Sequence, residues 1–229
     1  MGSLERGKNV DLIALDRNLQ PVIARFGGYL KVDGSGIFEA PCAVSMLRQH
    51  QEHDMSVLPP AETERQRTVT WRAPIIDVAK IASMSGLEYL QHLIDDDLPP
   101  PIAQLLNFRL SRIGPGVAVF EGTPAEYHYN PIGVVHGGFA ATLLDSALGC
   151  AIHTTLKPGF AYTTVELKVN YVRPLLMSTG PVEAEGKIIH VGSRLATAEA
   201  RVTDATGKLY AHGSTTCMIF PVAEAQRAK

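Results

Sequence analysis

The chain has 229 residues, 45% hydrophobic and 19% charged, with 21 Lys+Arg against 23 Asp+Glu and three cysteines. At about 100–200 residues per domain this suggests one domain with an appendage, and a formal net charge of −2 offers no broad basic field for nucleic acid. Cys42, Cys150 and Cys217 form neither a secreted disulfide framework nor a zinc-ligand spacing, and the first ten residues lack the apolar core of a signal peptide, so a reducing, cytoplasmic setting with no metal and no cofactor is expected.

Residues 1–70 carry glycine turns at Gly27-Gly28 and Asp33-Gly34-Ser35-Gly36, then a polar Gln/His-rich run up to Pro59-Pro60. No stretch there keeps a period of 2 or 3.6, so the segment reads as an N-terminal extension, poorly structured or locally ordered, with a linker over residues 58–67. Residues 71–222 read as the folded domain. Pro74 can open a helix with Ile75, Val78, Ala79 and Ala82 on one side, and Ser85-Gly86 punctuates it. Leu87, Leu90, Leu93 and Ile94 form a second short stripe, ended by Asp95-Asp96-Asp97 and Pro99-Pro100-Pro101. Strands over 107–113 and 117–123, joined by Gly114-Pro115-Gly116, read as a hairpin.

The most apolar run, residues 133–156, approaches the ~20 residues that span a bilayer, but His136 and Asp145 interrupt it and it has no basic flank. From Phe139 to Ile152 the residues are apolar or small all round, which predicts a helix surrounded by protein; no membrane association is expected. After Pro158-Gly159 the period changes to two. Val165, Leu167, Val169 and Tyr171 alternate with polar residues, as do Val182, Ala184, Gly186, Ile188 and His190, then Ala196, Ala198, Ala200 and Val202. Alternation alone turns Thr164 away from the apolar face that carries Val165, unless a bulge intervenes at Thr163-Thr164. A last strand runs from Leu209 to Phe220. The fold class is therefore α+β: an antiparallel sheet wrapped round one long buried central helix.

Two features at that helix carry chemistry. Gly137-Gly138 falls where the helix begins, and helix N-termini present unpaired N–H donors with a partial positive charge. Uncovered by side chains, the Gly137 N–H suits a carbonyl oxygen gathering negative charge as it is attacked. Asp145 is a carboxylate within an apolar helix, costly unless paired, protonated or functional; it is a candidate general base or nucleophile. Eight residues separate Gly137 from Asp145, about 12 Å along one helix, whereas a reacting carbonyl lies within about 3–3.5 Å of both donor and nucleophile. Two antiparallel helices related by a two-fold axis satisfy that geometry, which predicts a homodimer with shared sites.

The pattern Asn130-x-x-Gly133-x-x-His136-Gly137-Gly138-x(6)-Asp145 resembles the PaaI-type hotdog-fold acyl-CoA thioesterases. The resemblance continues through Thr163-Thr164-Val165-Glu166-Leu167, Asn170-Tyr171-Val172-Arg173-Pro174, His190-Val191-Gly192-Ser193-Arg194 and Asp204-Ala205-Thr206-Gly207-Lys208, and covers roughly residues 85–220. It implies the hotdog fold, a site across a dimer interface, further pairing into a homotetramer, and hydrolysis of acyl-CoA to free acid and CoA. It also implies that the Asn130 amide orients water or the carboxylate, and that a Thr164 hydroxyl lies near Asp145. His136 reads either as a loop-fixing residue or as a direct participant. Gly138, Arg173, Ser193 and Arg194 are candidates to bind the substrate and the CoA phosphates. Two other readings stay open: a hotdog hydratase or dehydratase on acyl thioesters, and an acyl-CoA-binding sensor.

Overall fold

The structure is a computed structural model that describes residues 11–15, 21–25, 64–73 and 78–222. The turns expected at Gly27-Gly28 and 33–36, Cys42, most of the linker 58–67 and the helix start at Pro74 lie outside the described residues. Backbone contacts divide the chain into Met1–Gln66 and Arg67–Lys229. In the first unit β1 (Asp11–Leu15) pairs antiparallel with β2 (Pro21–Arg25), Ile13 opposite Ile23. Five residues per strand are too few for a period to register.

The second unit opens with three short helices, α1 (Val78–Ser83), α2 (Gly86–Asp95) and α3 (Pro101–Leu106). Ser85 starts α2 through a capping box: its hydroxyl accepts the Glu88 N–H, and Glu88 accepts the Ser85 N–H at 2.8 Å. Pro101 occupies the first turn of α3, where its missing N–H costs nothing, and Asn107 ends it in the left-handed region at φ 55°.

Six strands follow, all antiparallel, in the order β3-β4-β6-β7-β8-β5: β3 (Phe108–Gly114), β4 (Val117–Gly122), β5 (Phe160–Tyr171), β6 (Val182–Val191), β7 (Leu195–Asp204) and β8 (Leu209–Pro221). Between β4 and β5 runs α4 (Gly137–His153), which packs against the sheet. Leu143, Leu144, Leu148 and Ile152 on α4 are fully buried, each contributing about 1.5–3 kcal/mol of apolar burial. Ala196, Ala198, Ala200 and Val202 of β7 face them, and their small size lets helix and sheet approach closely. No helix among the described residues is long and apolar enough to cross a membrane.

The central helix is buried against the sheet, and a single chain leaves Ala141, Thr142, Asp145, Ser146 and Cys150 as a half-exposed stripe along α4. One expectation needs correction: the alternation expected along β5 and β6 is broken in each. A bulge between Thr164 and Glu166 leaves Val165 55% exposed, and another between Ile188 and His190 takes His190 off the inner face.

Candidate active site

The N-terminus of α4 is fixed by the loop before it. Asn130 Oδ1 accepts the N–H groups of Ile132 and Val134 at 3.1 and 3.3 Å, and Tyr129 bridges to Val135. The His136 N–H donates to the His128 carbonyl at 2.7 Å. His136 itself is the N-cap: its Nδ1 accepts the Gly138 N–H at 2.9 Å, and its carbonyl accepts the Phe139 N–H. Thus Gly138 has no free N–H to offer a substrate. The Gly137 N–H, by contrast, has no partner among the described residues.

His128, which sequence reasoning passed over, supports this loop from beneath. It is buried, its Nδ1 accepts the Ala125 N–H at 3.1 Å, and its ring lies against Phe139 with centroids 4.5 Å apart. Burial, aided by the nearby Arg67 cation, lowers its pKa to about 4, so the ring is neutral near pH 7. Arg67 is anchored in turn, donating to the Leu105 and Gln104 carbonyls and stacking 3.9 Å over the Tyr127 ring.

One strand, β5, reaches α4 at three points. Tyr171 donates from its hydroxyl to the Gly137 carbonyl at 3.1 Å, and a Cβ on Gly137 would lie 2.9 Å from the tyrosine ring. Thr164 donates from Oγ1 to Asp145 Oδ1 at 3.0 Å. Tyr162 lies across Gly149. The bulge makes this possible. It lets Tyr162 and Thr164 on one side of it, and Leu167, Val169 and Tyr171 on the other, all meet the helix. Simple alternation would have turned Thr164 outward.

Around the carboxylate the groups are small and neutral. Cys217 Sγ is 3.9 Å from Thr164 Oγ1, and burial raises its pKa. Burial also pushes the Cys150 thiol up to about 12, and raises Tyr162 well above its ordinary value. Both cysteines are free thiols. Among the described residues no group of three or more His, Cys, Asp or Glu could hold a metal ion.

The candidate CoA-binding residues are not brought together within one chain. Arg173 donates to the Leu209 carbonyl at 2.6 Å, at the start of β8. Ser193 and Arg194 are exposed in the β6–β7 turn, where the Arg194 carbonyl accepts the Ile219 N–H near the other end of β8. The ten residue steps from Leu209 to Ile219 span about 33 Å of strand. Gly137 and Asp145 are likewise apart, about 12 Å along α4.

Residues 132–211 match a family model described as Thioesterase superfamily. Human acyl-coenzyme A thioesterase 13 is 33% identical to this chain over 103 residues, 44% of this chain and 72% of that protein. This chain belongs to the thioesterase superfamily. A solved structure, the E. coli PaaI protein from the phenylacetic acid degradation operon, has a TM-score of 0.52 at 18% identity, covering 59% of this chain and 94% of that one. The shared architecture of an antiparallel sheet round a long helix is the hotdog fold. A protein from Halobacterium salinarum, named as an esterase, is 43% identical over 72 residues; the match is 31% of this chain and about half, 46%, of that protein. In this superfamily member the matched span holds His136, Gly137, Gly138, Asp145, Thr164, Arg173, Ser193 and Arg194, and begins just after Asn130.

Proposed function

We propose that the protein hydrolyses acyl-CoA thioesters to free acid and CoA, as a homodimer whose two equivalent sites each join Asp145 of one protomer to the Gly137 N–H of the other. The observation that carries this reading is Asp145, held by Thr164 on the uncovered stripe of α4, on the same helix as an unpaired Gly137 donor it cannot reach. The catalytic unit is residues 71–222, with residues 1–70 an extension to it. A cytoplasmic setting goes with the free thiols of Cys150 and Cys217.

In the base-catalysed form, Asp145 takes a proton from water as the water oxygen bonds to the thioester carbon. The carbonyl oxygen becomes an oxyanion that accepts the Gly137 N–H, where charge develops in the transition state. The C–S bond then breaks, and CoA leaves with the proton that Asp145 had accepted. Thr164 occupies one carboxylate oxygen and leaves the other for water. In the nucleophilic form Asp145 itself bonds to the carbon, the C–S bond breaks and CoA leaves as a thiolate that takes a proton from solvent, and water then hydrolyses the acyl-carboxylate anhydride. In a single turnover in 18O-labelled water, label found in Asp145 establishes the nucleophilic form, because only the anhydride lets water attack the Asp145 carbonyl. The loop and cap functions of Asn130 and His136 hold Gly137 in place. Arg173 and the Ser193-Arg194 turn serve one CoA only when they come from different protomers.

The test is thiol release from a panel of acyl-CoAs by wild type and Asp145→Asn. Wild type should release CoA, and Asp145→Asn should lower kcat about a hundred- to ten-thousandfold with KM changed little. Turnover of Asp145→Asn at the wild-type rate overturns the role of Asp145. Product formed without free thiol would indicate hydration, and binding without product a sensor; either overturns the hydrolysis reading.

A further inference from the structure

Gly149 stands one helical turn beyond Asp145, on the same face of α4. A bare glycine there leaves a gap beside the carboxylate, centred about 6 Å further along the helix. In this chain β5 fills it. A Cβ built on Gly149 would lie 2.6 Å from the Tyr162 hydroxyl oxygen and 2.7 Å from Cε2 of its ring. Tyr162 is two residues before Thr164 on the same side of the strand, so one face of β5 both holds Asp145 and closes the space next to it.

The closure is braced from behind. The His153 ring meets Tyr162 edge-on with centroids 5.5 Å apart, and Tyr89 from α2 packs on His153 at 5.7 Å. Three rings in a column are a wall, not a side chain free to swing aside. Toward the start of α4 the same stripe carries only small groups, Ala141 and Thr142, and the Thr142 hydroxyl is turned to the Gly138 carbonyl at 2.8 Å. Burial lowers the His153 pKa to about 4 and raises that of Tyr162, so the wall is neutral near pH 7.

We propose that Tyr162, braced by His153 and Tyr89, is the end wall of the acyl subsite and makes the protein select short-chain or single-ring acyl groups over long chains. This rests on the acyl-CoA hydrolysis reading given above. The thioester carbon must stay against Asp145, and on the Gly149 side of that carboxylate the space between β5 and α4 is closed by Tyr162. An acyl group that runs along α4 in that direction meets the Tyr162 ring. Neutral ring edges at the end favour an uncharged acyl terminus.

The experiment is kcat/KM by thiol release for butanoyl-, benzoyl-, decanoyl- and hexadecanoyl-CoA, with wild type, Tyr162→Ala and Tyr162→Leu. Wild type should favour butanoyl and benzoyl. Tyr162→Ala should raise the decanoyl-to-butanoyl ratio about tenfold or more, with Tyr162→Leu between the two. A wild-type preference for hexadecanoyl overturns the inference without any variant, as does an unchanged ratio in a folded Tyr162 variant. Absence of thiol release from every wild-type substrate overturns the hydrolysis reading and this inference with it. Thiol release with an unchanged ratio overturns this inference alone.

Discussion

The two edges of the sheet are built to opposite ends. The β3 edge is seven residues long, is broken by a bulge between Leu110 and Arg112, and is dressed with charge: Arg109 pairs with Glu121, and Arg112 with Glu183 through two 3.0 Å contacts. The β5 edge is twelve residues long, with Val165 55% and Tyr171 57% exposed. Both edges are bulged, so length and charge make the difference: a short, charged edge stops a sheet, whereas a long edge with exposed apolar residues invites another strand. The site belongs to the second kind of edge. Tyr171, Thr164 and Tyr162 all reach α4 from β5, whereas among the described residues β3 makes no hydrogen bond to that helix. In the proposed dimer, pairing through this edge would let the strand that positions Gly137 and Asp145 couple assembly to catalysis.

The largest break in this comparison comes from putting β3 chemistry on the β5 edge. Val165→Lys places a solvated cation at the bulge, on the exposed edge through which the proposed dimer would form. Sedimentation should show a monomer, and kcat/KM should fall about a hundred- to a thousandfold, the cost of losing one oxyanion donor. A monomer with full activity would falsify the shared site.

A smaller effect isolates the strand's second duty. Thr164→Val keeps the shape and removes the hydroxyl that donates to Asp145. A hydrogen bond to a charged group is worth about 1.5–3 kcal/mol, so kcat should fall about ten- to a hundredfold while the protein stays dimeric. If kcat is unchanged, Thr164 does not orient the carboxylate and the contact is packing alone.

What the sequence announced and what it hid divide along the line between local and cross-strand determinants. Gly137 to Asp145 was legible because their separation is fixed by one helix, and so was His136, whose cap bond spans two residues. The alanine face of β7 was legible from period two. Thr164 was not, because a bulge is set by the partner strand β8, and one extra residue at Val165 reverses the parity of everything before it. The separation of Arg173 from Arg194 was hidden for a similar reason. It depends on β8 lying between β5 and β7, a non-sequential neighbour that no motif spacing encodes. Tyr162 against Gly149 is a fit of large to absent side chain across two elements, so neither residue's own periodicity marks it.

The smallest effect lies on the β3 edge and tests its independence from the site. Arg112 and Glu183 are 57% and 42% exposed, so solvent screens the pair, and Arg112→Ala should cost only about 0.2–1 kcal/mol. In a domain of this size that lowers Tm by about 4 °C at most. The sign of its pH dependence follows from linkage. The hydrogen bond from Arg112, then its charge, holds the Glu183 carboxyl below its ordinary 4.5. A depressed carboxyl contributes stability above its unfolded pKa and loses it as pH falls through the folded value. The difference in Tm between wild type and Arg112→Ala should therefore be present at pH 7, shrink below about pH 4.5 and shrink again in 1 M salt. Thiol release should be unchanged throughout the neutral range. A loss of turnover in Arg112→Ala would mean that the two edges communicate, and that the division of labour between them is wrong.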